Sequence, residues 1–87
     1  MKHTHKTVTA TEFETKSVDV TVSAGATSGS SLPDSDLIGG EILGYYPTGN
    51  QDQLVVSVDL NVDGSVTVTL TNTAKADNTF KVVVIKP

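Results

Sequence analysis

The second half of the chain has the most regular pattern, in which apolar side chains alternate with polar ones over two short stretches. The apolar positions are Val56, Val58 and Leu60 in the first stretch and Val66, Val68 and Leu70 in the second. A period of two is typical of a strand with one buried face, so we predict an antiparallel hairpin with both apolar sets facing the core. The predicted pairs are Leu60 with Val66, Val58 with Val68, and Val56 with Leu70. This register makes residues 62–64 the loop and places Gly64 where a three-residue loop needs a left-handed residue.

Four more strands are predicted, over residues 7–13, 17–23, 37–46 and 79–86, and the one at residues 17–23 has a strong period of two with Val18, Val20 and Val22 on one face. The first is a weak strand with Val8, Ala10 and Phe13 as its apolar positions. In the third, glycines interrupt a run with apolar groups on both faces, which indicates a bulge or bend near Gly39 and Gly40.

The last predicted strand has apolar side chains on both of its faces. Phe80, Val82 and Val84 share one face, and Val83 and Ile85 share the other. We therefore expect this strand to be covered on both sides.

Polar segments separate the strands. We predict turns at residues 14–16 and 47–50 and loops at residues 24–36 and 72–78. The loop at residues 24–36 is long for a compact domain and contains Leu32 as its only large apolar side chain, so we expect it to contact a neighbouring protein. Residues 1–6 are polar and basic and are predicted to form a flexible arm that becomes ordered only when something binds it.

About six short strands without helical periodicity predict an all-β fold, a small antiparallel sandwich or barrel formed by a single domain over residues 7–87. Val and Thr are the commonest residues, as expected for strands. A domain this short has a thin core, and the chain has no cysteine for a disulfide or a thiolate zinc site. Oligomerisation is therefore the expected supplement to its stability.

The charge and hydropathy of the chain exclude several classes of partner. Its net charge is −4 and all six cations are Lys, so no guanidinium group can grip a phosphate with two hydrogen bonds, and nucleic acid is not an expected partner. No apolar run is long enough to span a bilayer, and residues 1–11 have no apolar core of a signal peptide. We expect a soluble chain that is not Sec-exported and has no membrane partner.

One motif resembles the start of a calcium-binding loop. Asp59, Asn61 and Asp63 occupy ligand positions 1, 3 and 5, and Gly64 follows at position 6. Position 12 is Leu70 where a bidentate carboxylate is needed, and the flanks have strand periodicity. We interpret the motif as the polar face and tip of the predicted hairpin.

Other candidate chemistry is sparse, and we predict no enzyme, no cofactor and no metal site. His3 and His5 lie on the predicted arm, where two ligands alone would hold a transition metal weakly and no histidine base is available for a nucleophile. Asp34 and Asp36 lie in the polar loop, with Glu41 nearby, where nothing raises a carboxyl pKa for acid and base catalysis.

The candidate functional residues are instead those of an interface. Successive residues on a strand point to opposite faces, so only one of Tyr45 and Tyr46 can join the core and the other is available to a partner. The full set of interface candidates is Tyr45, Tyr46, Val83, Ile85 and Leu32.

Three stretches of the chain share a composition rich in Thr, Val and Ala. They read VTVSAGATSGS, ILGYYPTGNQDQLVVSVDLNVDGSVTVTL and NTFKVVVIKP, with the short phrases YPTGN at residues 46–50 and FKVVV at residues 80–84. These stretches, which lie within residues 21–86, resemble the small β proteins on tailed-phage virions, of the capsid-decoration or head-fibre type.

The resemblance implies a structural role without catalytic residues. It implies a sandwich, often a homotrimer, that sits on a bacteriophage capsid and cements neighbouring subunits. The implied partners are its own copies and the major capsid protein or another virion protein, and the implied location is the virion, with the host cytoplasm during assembly. The alternative is a carbohydrate- or surface-binding module, in which Tyr45 or Tyr46 and the loop at residues 24–36 form the site.

Overall fold

The computed structural model describes residues 13–87, which form six β-strands and one short 3₁₀ helix. In chain order the elements are β1 (Thr15–Val22), β2 (Ser28–Ser30), the 3₁₀ helix (Ser35–Leu37), β3 (Glu41–Pro47), β4 (Val55–Leu60), β5 (Val66–Leu70) and β6 (Asn78–Ile85). The predicted arm and the predicted strand at residues 7–13, apart from Phe13, lie outside the described residues. In the part of the chain that is described, no helix is long and apolar enough to cross a membrane.

The strands form two antiparallel sheets of three strands each, in the orders β1-β6-β3 and β2-β5-β4. One side of the molecule brings β1 next to β2, and the other brings β3 next to β4. The two sheets enclose a common core between β6 and β5, their central strands. The predicted all-β antiparallel sandwich of about six strands is therefore confirmed.

The core consists of side chains from alternate positions of both sheets. Its buried apolar residues are Val20, Val22, Leu37, Val66, Val68, Leu70, Ala74, Phe80, Val82 and Val84. The period of two in the sequence thus reflects which side chains of each strand point inward. Most of these side chains are valines, whose branched Cβ fits the pleated surface of a sheet.

The hairpin of β4 and β5 has the predicted register at its tip and departs from it at its base. Leu60 pairs with Val66 and Val58 with Val68, as predicted, but Val55 replaces Val56 as the partner of Leu70. The register shifts between Val55 and Ser57, so Val56 is an extra residue that points outward, with 63% of its surface exposed. The prediction that Val56 joins the core is wrong because a bulge changes the face of every residue before it.

The tip of this hairpin is the predicted three-residue loop. The Asn61 N–H donates to the Ser65 carbonyl at 2.8 Å, and the Gly64 N–H donates to the Asn61 carbonyl at 3.0 Å. Gly64 has a φ of 82°, in the left-handed region. A Cβ at Gly64 would also overlap the backbone carbonyl of Asp34. Gly64 is therefore required both by its φ and by the close approach of another segment.

The predicted turn at residues 14–16 is wrong, because β1 begins at Thr15. Lys16 pairs with Val84 and faces the inner side of the sandwich at its end, where it forms ion pairs with Asp34 and Asp36. Because a charged residue occupies an inward-facing position here, the alternation of apolar and polar residues does not show where the strand begins. The predicted strand at residues 17–23 is otherwise confirmed, with Val20 and Val22 in the core.

The predicted loop at residues 24–36 contains β2 and the start of the 3₁₀ helix. Ser28 to Ser30 pair with Thr67 to Thr69 of β5, in a strand too short and too polar to show alternation. Gly29 lies so close to β1 that a Cβ there would overlap the Thr21 carbonyl. This contact closes the side of the sandwich formed by β1 and β2.

The third predicted strand begins later and is irregular at a different place. β3 starts at Glu41, and its register shifts between Ile42 and Gly44, so Leu43 is the extra residue. The bulge or bend predicted near Gly39 and Gly40 is a turn that follows the 3₁₀ helix, so these residues precede the strand and do not interrupt it. The predicted turn at residues 47–50 begins one residue later, since Pro47 still pairs with Phe80.

The last strand, β6, has one buried face and one half-buried face. Phe80, Val82 and Val84 are buried in the core, whereas Val83 and Ile85 are half-buried on the outer face. Within residues 13–87 no further layer lies over that face. The core covers the inner face as predicted, and cover for the outer face stays a prediction.

Candidate interaction surfaces

Nine large apolar side chains of the described residues are exposed, and they fall into two groups. The first group lies on β3, on β4 or directly before β4, and we call it the open side: Leu43, Tyr45, Tyr46, Leu54 and Val56. The second group lies at the end that contains the hairpin tip and the 3₁₀ helix, and we call it the hairpin end: Phe13, Leu32, Ile38 and Val62. The exposed apolar residues thus belong to two regions of one small sandwich, and those on β3 include side chains that point to both faces of their sheet.

The open side is formed by two edge strands, since β3 is an edge of one sheet and β4 an edge of the other. Both edges are bulged, at Leu43 in β3 and at Val56 in β4. Tyr45 pairs with Val82 and so faces inward, where its ring meets the ring of Phe80 edge to face at 6.3 Å between centroids. It nevertheless remains 44% exposed, because neither sheet extends beyond it on this side.

The hairpin end is held together by contacts among segments that are distant in sequence. Lys16 lies 2.5 Å from Asp34 and 3.5 Å from Asp36. The hydrogen bond from Lys16 and one from the Asp36 N–H hold the pKa of Asp34 below its usual range, and the same ion pair raises the pKa of Lys16. A groove of about 320 Å³ opens beside this cluster and is lined by Phe13, Gly39, Gly40, Glu41, Ile85, Lys86 and Pro87.

Three of the predicted interface residues point to the same face of one sheet, and two do not. Tyr46 pairs with Lys81, and so lies with Val83 and Ile85 on the outer face of the sheet formed by β1, β6 and β3. Tyr45 is on the inner face of the same sheet. Leu32 is at the hairpin end and is 85% exposed.

The site predicted for a carbohydrate-binding module is not assembled as one surface. The segment at residues 24–36 contributes β2, which lies beside β1. The two tyrosines lie on β3, at the opposite edge of the sheet that contains β1.

A polar network ties the loops at the other end of the sandwich. Asp52 accepts hydrogen bonds from the Lys75 and Ala76 N–H groups at 3.2 and 3.1 Å, and from the Asn50 and Asn78 amides at 3.0 and 3.1 Å. Partial burial opposes ionisation of Asp52, yet these hydrogen bonds hold its pKa well below the usual range. The loop before β4 is thereby fixed to the turn before β6.

The residues of the calcium-like motif are used within the hairpin. The Asn61 amide donates to the hydroxyls of Ser65 and Thr67 at 3.0 and 2.8 Å. Asp63 accepts from the Ser65 hydroxyl and N–H at 2.6 and 3.0 Å, and both hydrogen bonds lower its pKa. Over residues 13–87 no three His, Asp or Glu side chains are grouped to hold a metal ion. His3 and His5 lie outside the described residues.

Sequence reasoning missed three residues of the open side. Leu43 and Val56 are the extra residues of two bulges, and Leu54 directly precedes β4. One signal in the sequence marks this surface: residues 42–58 contain a single charged residue, Asp52. The hydrogen bonds to Asp52 favour its ionised form, so this stretch carries one negative charge and no other charged side chain.

Comparison with known proteins leaves the fold and these surfaces as the basis for assigning a function. No protein-family model, curated protein or solved structure matches the chain.

Proposed function

We propose that the protein is a structural component of a virion surface, where it decorates or cements a phage capsid as an oligomer. The partners in this role are its own copies and the major capsid protein or another virion protein. The resemblance of residues 21–86 to small phage surface proteins supports the choice of a virion.

The observation that carries the proposal is the division of the exposed apolar side chains into two separate surfaces. A protein that joins other proteins must contact at least two of them at once. The open side and the hairpin end allow this, because they lie on different strands and loops of one sandwich. Exposed apolar patches of this kind mark protein interaction sites in soluble proteins.

The internal hydrogen bonding supports a scaffold role. Among the described residues, no buried side-chain nitrogen or oxygen lacks a hydrogen-bond partner. Loops that are tied down, as by Asp52 and Asn78, hold the segment that leads into β4 in a fixed position. A rigid mount for its contact residues is what a protein that bridges neighbouring subunits needs.

Fractionation of particles tests the proposal. Particles from a culture that produces the protein are separated on a density gradient, and the protein is quantified in each fraction by immunoblotting alongside the major capsid protein. We expect it to migrate with the capsid band at a constant ratio to the capsid protein. A protein found only in the soluble fractions would contradict the proposal, and binding of that soluble protein to immobilised polysaccharide would support the alternative binding module.

A further inference from the structure

We infer that the open side docks a second copy of this chain. The inference names the partner of one of the two surfaces in the proposed structural role. It is tested on purified protein without particles, so that its failure and the failure of the virion assignment are separate results.

The apolar area of the open side is close to the apolar area that one partner buries in an ordinary protein interface. Its five side chains are between 44% and 73% exposed. Covering the two tyrosines, each about half exposed, removes roughly 200 Å² from water at about 150 to 250 Å² for an aromatic side chain. The three aliphatic side chains add an area of the same order. A standard interface buries about 800 Å² per partner, and in homodimers about 65% of this area is apolar, which is about 500 Å².

The charge distribution favours a second copy as the occupant. Each chain carries a net charge of −4, so two copies repel unless they meet at a neutral surface. Residues 42–58 come close to one, since Asp52 is their single charged residue and its carboxylate is directed into four hydrogen bonds with neutral donors. The hairpin end differs, because Lys16, Asp34 and Asp36 lie among its apolar residues.

The backbone of the open side favours contact through side chains. Bulges at Leu43 and Val56 interrupt both edge strands, and bulged edges pair poorly with further strands. The same bulges add an apolar side chain to each edge. A copy docked here packs its apolar side chains against these and does not extend either sheet.

The size of the domain gives the contact a thermodynamic reason. The described core contains ten buried apolar residues, and the chain has no cysteine to cross-link it. Burying a further patch on assembly stabilises the folded state by mass action, as for any ligand that binds only the native protein.

Substitutions to lysine test the inference. Leu54→Lys and Val56→Lys place a charge in the open side, and Leu32→Lys is the matched control, since Leu32 is 85% exposed at the hairpin end. All three side chains are at least 63% exposed, so thermal melts should show folded variants. Molar mass is measured by light scattering after size-exclusion chromatography at about 50 µM, above the micromolar dissociation constants of ordinary complexes.

The expected result is a mass at least twice the 9.1 kDa of one chain for the natural protein and for Leu32→Lys, and 9.1 kDa for Leu54→Lys and Val56→Lys. A natural protein that runs as a monomer would overturn the inference. So would an oligomer that survives both open-side substitutions, or one that Leu32→Lys disrupts equally. If one open-side variant fails to fold, the other decides.

Discussion

Asp52 and Asn78 bind each other in both directions. The Asn78 amide donates to the Asp52 carboxylate at 3.1 Å, and the Asp52 N–H donates to the Asn78 side-chain oxygen at 2.8 Å. Asn78 is fully buried at the start of β6, and its amide also donates to the Ala76 carbonyl at 2.8 Å. The loop that leads into β4 on the open side is therefore fixed to the central strand of the opposite sheet.

Replacing Asn78 by alanine should destabilise the fold through this pair. The change leaves the Asp52 N–H and the Ala76 carbonyl without their partner, and an unsatisfied buried polar group costs about 1 to 3 kcal/mol. The free energy of unfolding, measured in urea, should fall by that amount. Asn72→Ala, at an exposed position, is the control and should stay within about 0.5 kcal/mol of the natural protein. Equal losses for the two variants would contradict a structural role for the pair.

Stability should depend on pH mainly in the acid range. The pKa values of Asp34, Asp52 and Asp63 are all lowered in the fold, so their contributions are present above the unfolded pKa of about 3.9 and are lost as the pH falls below it. Melting temperatures should be level between about pH 7 and pH 5 and should fall below about pH 4. Asp52→Asn should lower the melting temperature at neutral pH and flatten the acid fall. Parallel melting curves for the two proteins across the pH series would show that Asp52 does not contribute as described.

Two glycines with the same backbone conformation should differ in their tolerance of a side chain. Gly25 and Gly64 have φ values of 85° and 82°, but a Cβ at Gly25 meets open space whereas one at Gly64 overlaps the Asp34 carbonyl. Gly25→Ala should cost about 1 to 2 kcal/mol, the ordinary penalty of a left-handed residue. Gly64→Ala should cost roughly 2 to 5 kcal/mol, because the Asp34 segment must also move. Urea unfolding measures both, and equal midpoints would remove the role assigned to the Asp34 contact.

Salt should not dissociate the oligomer formed through the open side. Raising the ionic strength from about 0.1 M to about 1 M shortens the Debye length from about 10 to about 3 Å and screens the repulsion between two chains of net charge −4. Residues 42–58 contain one charged residue, Asp52, and no cation that could form an ion pair across the contact. The dissociation constant, measured by sedimentation equilibrium, should therefore stay constant or fall with salt. A marked rise would show that ion pairs hold the copies together.

The alternation of apolar and polar residues correctly predicted the parts of the fold in which successive side chains point to opposite faces of a strand. It correctly paired Leu60 with Val66 and Val58 with Val68, and it placed Val20 and Val22 in the core. It failed at Val56, because a bulge adds a residue without any change in composition.

Two other elements had no alternation to detect. β2 is three small polar residues held by β5 and by the close approach of Gly29 to β1. Lys16 faces inward because Asp34 and Asp36, distant in sequence, meet it there. Only the tertiary structure brings these partners together.

The open side was predictable only in part, because some of its residues follow the alternation of a strand and others do not. Tyr45 and Tyr46 could be proposed as interface residues, because adjacent strand residues must face opposite ways. Val56 was assigned to the core by its spacing, and Leu54 had no pattern of its own. The near absence of charge over residues 42–58 is visible in the sequence, but only the bulges and edge positions of β3 and β4 explain what that stretch presents.

The intrinsic fluorescence of the natural protein gives the most direct test of the central claim, that the open side is the surface through which copies assemble. Tyr45 and Tyr46 are the only tyrosines, the chain has no tryptophan, and both lie on the open side. Quenching by acrylamide is measured for the natural protein and for Leu54→Lys as the protein concentration rises from about 1 to about 100 µM, at or above the micromolar upper end of dissociation constants for ordinary interfaces. The account predicts that the quenching constant of the natural protein lies below that of Leu54→Lys at the highest concentration, because a second copy covers the rings. Equal quenching constants for the two proteins at every concentration would contradict it.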